Sequence, residues 1–132
     1  MITKALDTEK HSQFINITKL VQQAVVESGI KSGIVNVFVP HTTAGTTINE
    51  NSDPDVTHDL LTSLARSFPW EHEDYRHNEG NTAAHIKASL VGNSTQVIAE
   101  HGRLQLGTWQ GIYFCEFDGP RKRQVWIKVV GV

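Results

Sequence analysis

The chain predicts an α+β fold: a single domain over residues 1–132, with a largely antiparallel, sandwich-like sheet and about three helices. Three observations carry this. β-Branched and aromatic segments crowd both ends of the sequence, helical patterns lie between them, and the terminal strands are joined by short turns that permit only antiparallel neighbours. With 132 residues, 39% of them hydrophobic, such a chain buries roughly two-thirds of its unfolded surface and folds without a disulfide or a metal.

Thr3 to Ile17 reads as two short strands around the polar turn Asp7-Thr8-Glu9-Lys10-His11. A helix follows: Thr18 is placed to cap it, Leu20, Val21, Ala24 and Val25 recur at helical spacing, and Gly29 supplies a left-handed stop. Ile34 to Val39 sets Ile34 and Phe38 on one side and Val35, Val37 and Val39 on the other, predicting a central strand covered on both faces. After Pro40, a strand from Thr43 to Ile48 is expected to pair with it and to present Asn49, Glu50 and Asn51 at its far end.

Asp53 caps the next helix, Pro54 suits its first position, and Val56, Leu60, Leu61 and Leu64 form an apolar stripe that runs to Phe68 before Pro69 ends it. Trp70 to Asn81 has no periodicity and makes a long loop, a length often associated with function. Thr82 to Val91 reads as a short helix stopped by Gly92. The remaining strands are Val97 to Ala99, Leu104 to Leu106, Gly111 to Phe117 and Gln124 to Val130, separated by turns at Gly102 and Asp118-Gly119-Pro120.

Twelve basic and 14 acidic residues leave the chain near neutrality, with no broad field for phosphate backbones, so no nucleic-acid partner is expected. Arg121-Lys122-Arg123 is the one basic run and reads first as a solvated turn. No segment approaches ~18 consecutive apolar residues, so no membrane partner is expected either. The single Cys115 and a start, Met1-Ile2-Thr3-Lys4, without a basic-then-apolar pattern fit a reducing, cytoplasmic setting.

Gln110, Glu116 and Asp118 interrupt strand sequence with more polarity than packing requires, which marks a functional surface. Of seven histidines, His11, His72 and His101 lie in polar turns and His58 on the outward side of its helix, leaving His41, His77 and His85. His41 begins His41-Thr42-Thr43-Ala44-Gly45, which reads either as an ordinary turn or as a run of free donors for phosphate or substrate oxygens. His77 lies in the long loop, and His85 in the first turn of its helix, where the positive end favours neutral imidazole. Three separated histidines make a candidate metal site with an open position.

Asp53 is explained by capping, whereas Glu50 has no such structural reason and, with Glu116, is a candidate cation ligand or acid–base group. Cys115 reads as a buried inert thiol. Trp109 and Gln110 read either as a stacking platform with a hydrogen-bonding edge for a flat ring, or as buried residues of a sheet corner. His72-Glu73-Asp74-Tyr75-Arg76-His77 is not a zinc-protease motif, because its imidazoles are five positions apart and diverge by roughly 140° on a helix. No Walker loop, dinucleotide turn or deaminase cysteine pair is present.

These residues together resemble a known family. Pro40-His41-Thr42-Thr43-Ala44-Gly45, Ile48-Asn49-Glu50-Asn51, Asp53-Pro54-Asp55, Tyr75-Arg76-His77, Ala84-His85-Ile86-Lys87, Gly107-Thr108-Trp109-Gln110 and Cys115-Glu116-Phe117-Asp118-Gly119-Pro120-Arg121 are similar to the motifs of the YjbQ-like proteins, also called the secondary thiamine-phosphate synthase family. The resemblance covers essentially the whole chain. It implies a small α+β homotrimer that joins hydroxymethylpyrimidine diphosphate to thiazole phosphate, giving thiamine monophosphate and pyrophosphate.

In that reading His41, His77 and His85 hold a divalent metal, zinc or another transition ion, with magnesium an option for a diphosphate substrate. Thr42, Thr43, Lys87 and Arg121 bind phosphorylated substrate, Trp109 holds the ring, and Glu50, Glu116 and Gln110 are the catalytic candidates. The alternatives are a metal-assisted hydrolase or lyase using Glu50 or Glu116 as base, and a non-catalytic metabolite-binding trimer.

Overall fold

In the computed structural model, which describes residues 1–132, the chain runs β1 (Ile2–Asp7), β2 (Gln13–Asn16), α1 (Thr18–Ser28), β3 (Gly33–Phe38), β4 (Ala44–Glu50), α2 (Pro54–Ser67), α3 (Thr82–Val91), β5 (Ser94–Glu100), β6 (Arg103–Gln105), β7 (Gln110–Glu116) and β8 (Lys122–Gly131). The strands form a five-stranded sheet in the order β1-β8-β3-β5-β6 and a three-stranded sheet in the order β2-β7-β4. Every pairing is antiparallel. The α+β class and the helix count follow the sequence; no helix is long and apolar enough to cross a membrane.

Strand alternation places the main core between the sheets. Val35, Val37, Val97, Ala99, Val125 and Ile127 come inward from the larger sheet to meet Ala44, Ile112 and Phe114 of the smaller one, and α1 adds Val21, Ala24 and Val25. Burial of this apolar area, worth roughly 25 cal/mol per Å², is the main stabilising contribution. The opposite face of the smaller sheet carries Tyr113 and Cys115, which join Phe117 and lie under Ala84 and Ala88 of α3. Leu61 and Leu64 pack against that cluster as well, although no residue of α2 is fully buried.

Three local expectations are corrected. The strand covered on both faces is β7, buried from Gly111 through Glu116, and not β3, whose Ile34 is 38% exposed on the outer side. β3 does not pair with β4. Both of its edges are taken by β5 and β8, so the link from Val39 to Thr43 crosses between sheets. The same is true of the links from β1 to β2 and from β7 to β8; β5 and β6 are the only consecutive strands that pair. Short connections therefore bridge the gap of about 10 Å between the sheets instead of closing hairpins.

The third correction concerns α1, which begins at Thr18 with no side-chain cap. The Thr18 hydroxyl donates to Asn16 Oδ1 (2.7 Å) and accepts the Ile112 amide (2.9 Å), tying the helix start to β7. Asn16 Oδ1 also accepts the Thr18 amide, at 3.0 Å. At α2 the reading holds, with Asp53 Oδ1 accepting the Asp55 amide at 2.9 Å.

Candidate functional site

The antiparallel register of β4 and β7 divides the candidate residues. Ala44 lies opposite Glu116 at one end and Glu50 opposite Gln110 at the other. Six strand steps at about 3.3 Å separate the ends by roughly 20 Å. The first end holds a polar cavity.

That cavity, of about 410 Å³, is lined by Pro40, His41, Thr42 and Thr43 from the β3–β4 link, His77, Glu79 and Asn81 from the α2–α3 loop, His85 from α3, and Arg121 and Arg123 around the start of β8. A second cavity of about 280 Å³ shares His41, Thr42 and His85 and continues past Ala44, Ala88, Ser89 and Asn93. The structure thus unites the three histidines, both threonines and Arg121. Glu50, Trp109, Gln110 and Lys87 line neither cavity.

At the far end the polar groups serve turns. Gln110 Oε1 accepts the Gly107 amide (2.8 Å) and Glu50 Oε2 the Ser52 amide (3.1 Å), while Tyr113 Oη donates to the Glu50 carbonyl (2.9 Å). Trp109 is 62% exposed, so neither a buried sheet corner nor a walled ring pocket describes it. Lys87 is two positions from His85 on α3, hence about 200° around the helix. It is 5% exposed, forms no hydrogen bond or ion pair, and has its pKa lowered by desolvation.

Glu116 is committed within the scaffold. It is fully buried and receives Arg123 Nε (2.8 Å) and Nη2, the Thr8 hydroxyl (2.8 Å), and the Phe117 and Asp118 amides (3.1 and 3.0 Å). Burial by itself raises its pKa, but Arg123, the Asp118 amide and Thr8 outweigh burial and hold the carboxyl below its usual range. With its oxygens saturated, Glu116 has no lone pair to offer as a general base. Gly119 is required beside it, because a Cβ there would run into the Lys10 carbonyl.

Arg123 is the residue that the sequence reading missed. Expected in a solvated turn, its side chain is 3% exposed and lines the cavity. Period-two alternation contained the signal: Arg123, Val125 and Ile127 face the same side of β8, and all three are buried. Its Nη2 also donates to the Thr43 hydroxyl (2.8 Å) and carbonyl (3.3 Å), while Nη1 has no partner in the chain. Arg121 contacts Asp118 through Nη2 (3.0 Å to Oδ2) and Nε (2.9 Å to the carbonyl). Asn81 Nδ2 donates to the same Asp118 Oδ2 at 2.9 Å, leaving Asn81 Oδ1 a buried acceptor without a partner.

The histidines share the cavity without forming the expected metal centre. His77 and His85 meet edge to face, with ring centres 5.3 Å apart. His41 Nε2 accepts the Gln124 main-chain N–H at 3.0 Å, which occupies one ring nitrogen and directs the proton to the other. Its pKa is lowered by burial and then by the Arg123 charge, which favours the neutral ring. No group of three or more His, Cys, Asp or Glu side chains is arranged to hold a metal ion. With one His41 nitrogen already engaged by the Gln124 amide, the three imidazoles are not arranged as a three-ligand site.

A sandwich of two antiparallel sheets, with a donor-rich cleft where loops and a helix meet one end of the smaller sheet, makes this a small α+β protein with one shared polar cleft. The chain belongs to the YjbQ-like UPF0047 family, whose model matches residues 3–132. It is 57% identical over 129 residues to the UPF0047 protein YugU of Bacillus subtilis, covering 98% of both chains. With a UPF0047 protein of Methanocaldococcus jannaschii the identity is 48% over 126 residues, covering 96% of this chain and 91% of that one. A YjbQ/UPF0047 crystal structure from Clostridium acetobutylicum superposes with a TM-score of 0.96 at 59% identity, covering 98% and 100% of the respective chains. A conserved hypothetical protein from Thermus thermophilus gives a TM-score of 0.92 at 42% identity, with coverage of 98% and 100%.

Proposed function

We propose that the cleft binds small phosphorylated metabolites and that the chain catalyses thiamine-phosphate synthesis from hydroxymethylpyrimidine diphosphate and thiazole phosphate. The carrying observation is the convergence of Arg121, Arg123, His41, His77 and His85 on one polar cavity. In the reaction the thiazole nitrogen attacks the pyrimidine methylene carbon as the C–O bond to diphosphate breaks. The leaving group takes that electron pair. Fixed donors at its oxygens lower the barrier by stabilising charge that grows in the transition state. The adjoining cavity beyond His41 and His85 supplies room for the second reactant.

The competing hydrolase or lyase has less support, since Glu116 is saturated and Glu50 lies at the opposite end of β4. The test is product formation from the two precursors by wild type, Arg121→Ala and His85→Ala. Thiamine monophosphate and pyrophosphate are expected from wild type, with marked loss in both variants. Equal product from wild type and His85→Ala would overturn the assignment, and binding without turnover would favour a non-catalytic metabolite protein.

We further propose a homotrimer working in a reducing, cytoplasmic setting. Supporting assembly, Ile98, Ile34 and Val130 form one cross-strand row on the outer face of the larger sheet, at 53%, 38% and 53% exposure. Light scattering on the eluting protein tests it, a trimer mass being expected and a monomer mass overturning it.

A further inference from the structure

We propose that His41 acts as a hydrogen-bond donor through Nδ1 and, with the free Nη1 of Arg123, forms a metal-independent pocket for a phosphoryl group. This rests on the phosphorylated-substrate reading but concerns how the ligand is held. It replaces the metal-ligand role expected for His41.

A main-chain amide can only donate. Because the Gln124 N–H points at Nε2, that nitrogen must keep its lone pair, and the ring proton resides on Nδ1. Coordinating a metal through Nδ1 would move the proton to Nε2 and oppose two donors 3.0 Å apart. Binding a metal through Nε2 would displace the amide of a β8 residue next to Arg123. Neither is compatible with the observed strand position.

Nδ1 makes no hydrogen bond within the chain, and the ring lines both cavities. Arg123 supplies the second element. Glu116 and Thr43 occupy Nε and Nη2, fixing the guanidinium plane, while Nη1 is neither bonded nor sealed from solvent. A nine-tenths-buried arginine with one open nitrogen, lining the same cavity as a tautomer-locked imidazole, offers preorganised N–H donors to oxyanions. Charge-assisted donors of this kind suit a phosphoryl group better than a neutral oxygen.

Two measurements test the pocket. Two-bond proton–nitrogen spectra of histidine-labelled protein should show one imidazole with its proton on Nδ1, a pattern absent in His41→Asn. Titration with inorganic phosphate and pyrophosphate in the presence of EDTA should match titration without it. His41→Ala should weaken binding at least about tenfold, and His41→Asn, whose amide nitrogen takes the place of Nδ1, should restore much of the loss.

An Nε2–H form of His41, or phosphate binding that EDTA abolishes and zinc restores, would overturn the donor role while leaving the phosphorylated-substrate reading intact. Failure of wild type to bind either anion would overturn both. Binding with the expected variants but no turnover would uphold the pocket and overturn only the synthase.

Discussion

The Arg123 guanidinium meets the Glu116 carboxylate through Nε and Nη2 in the interior, joining the start of β8 to the end of β7 across the gap between the sheets. Both side chains are nearly inaccessible, at 3% and 0% exposure. The pair is a scaffold that holds one arginine nitrogen at the cleft. Its worth shows in what happens when one partner goes: an uncompensated buried charge is far costlier than a missing pair.

Glu116→Ala is therefore expected to lower folding stability by about 3–5 kcal/mol, measured by urea unfolding. Glu116→Leu with Arg123→Met should cost less than Glu116→Ala alone. Simple additivity of the two sites would show that the pair is not coupled.

Acid should weaken the fold in two steps. His41 has a lowered pKa in the folded state, first from burial and then from Arg123, with Glu116 opposing and Arg121 assisting. The unfolded chain therefore binds more protons at this site, so its stabilising contribution is complete above the ordinary histidine value and is lost as pH falls toward the folded value. Glu116, also lowered, contributes above the ordinary carboxylate value and loses that contribution as pH falls through its folded value. Melting temperature against pH should show the upper step in wild type and not in His41→Asn.

Cys115 is fully buried and desolvation raises its thiol far above the ordinary value. A thiol reagent should leave the native protein unlabelled at neutral pH and label one equivalent in urea. Fast native labelling would contradict the burial.

Gly45 permits close approach of β4 to the end of α3. A Cβ at that position would lie 2.5 Å from the Gly92 carbonyl oxygen and 3.3 Å from a Val91 methyl. Gly45→Ala is expected to cost about 1–3 kcal/mol in denaturant titration, the usual range for overpacking. It should also weaken phosphate binding by shifting His85 relative to His41.

The sequence by itself determined what depends on neighbours in the chain. Asp53 and Pro54 start α2, Gly29 ends α1 in the left-handed conformation, and the alternation of Val35 and Val37 turns them inward, because caps and side-chain direction are local properties. It also brought His41, His77 and His85 forward as residues without a packing role, and the family motifs added Arg121. Tertiary structure decided which of them share a cavity, and it left Glu50, Gln110, Trp109 and Lys87 outside. It also put β3 and β4 in different sheets, because hydrogen-bond partners are chosen across long stretches of chain. The proton arrangement of the His41 ring was decided the same way, by an amide 83 positions away that donates to Nε2.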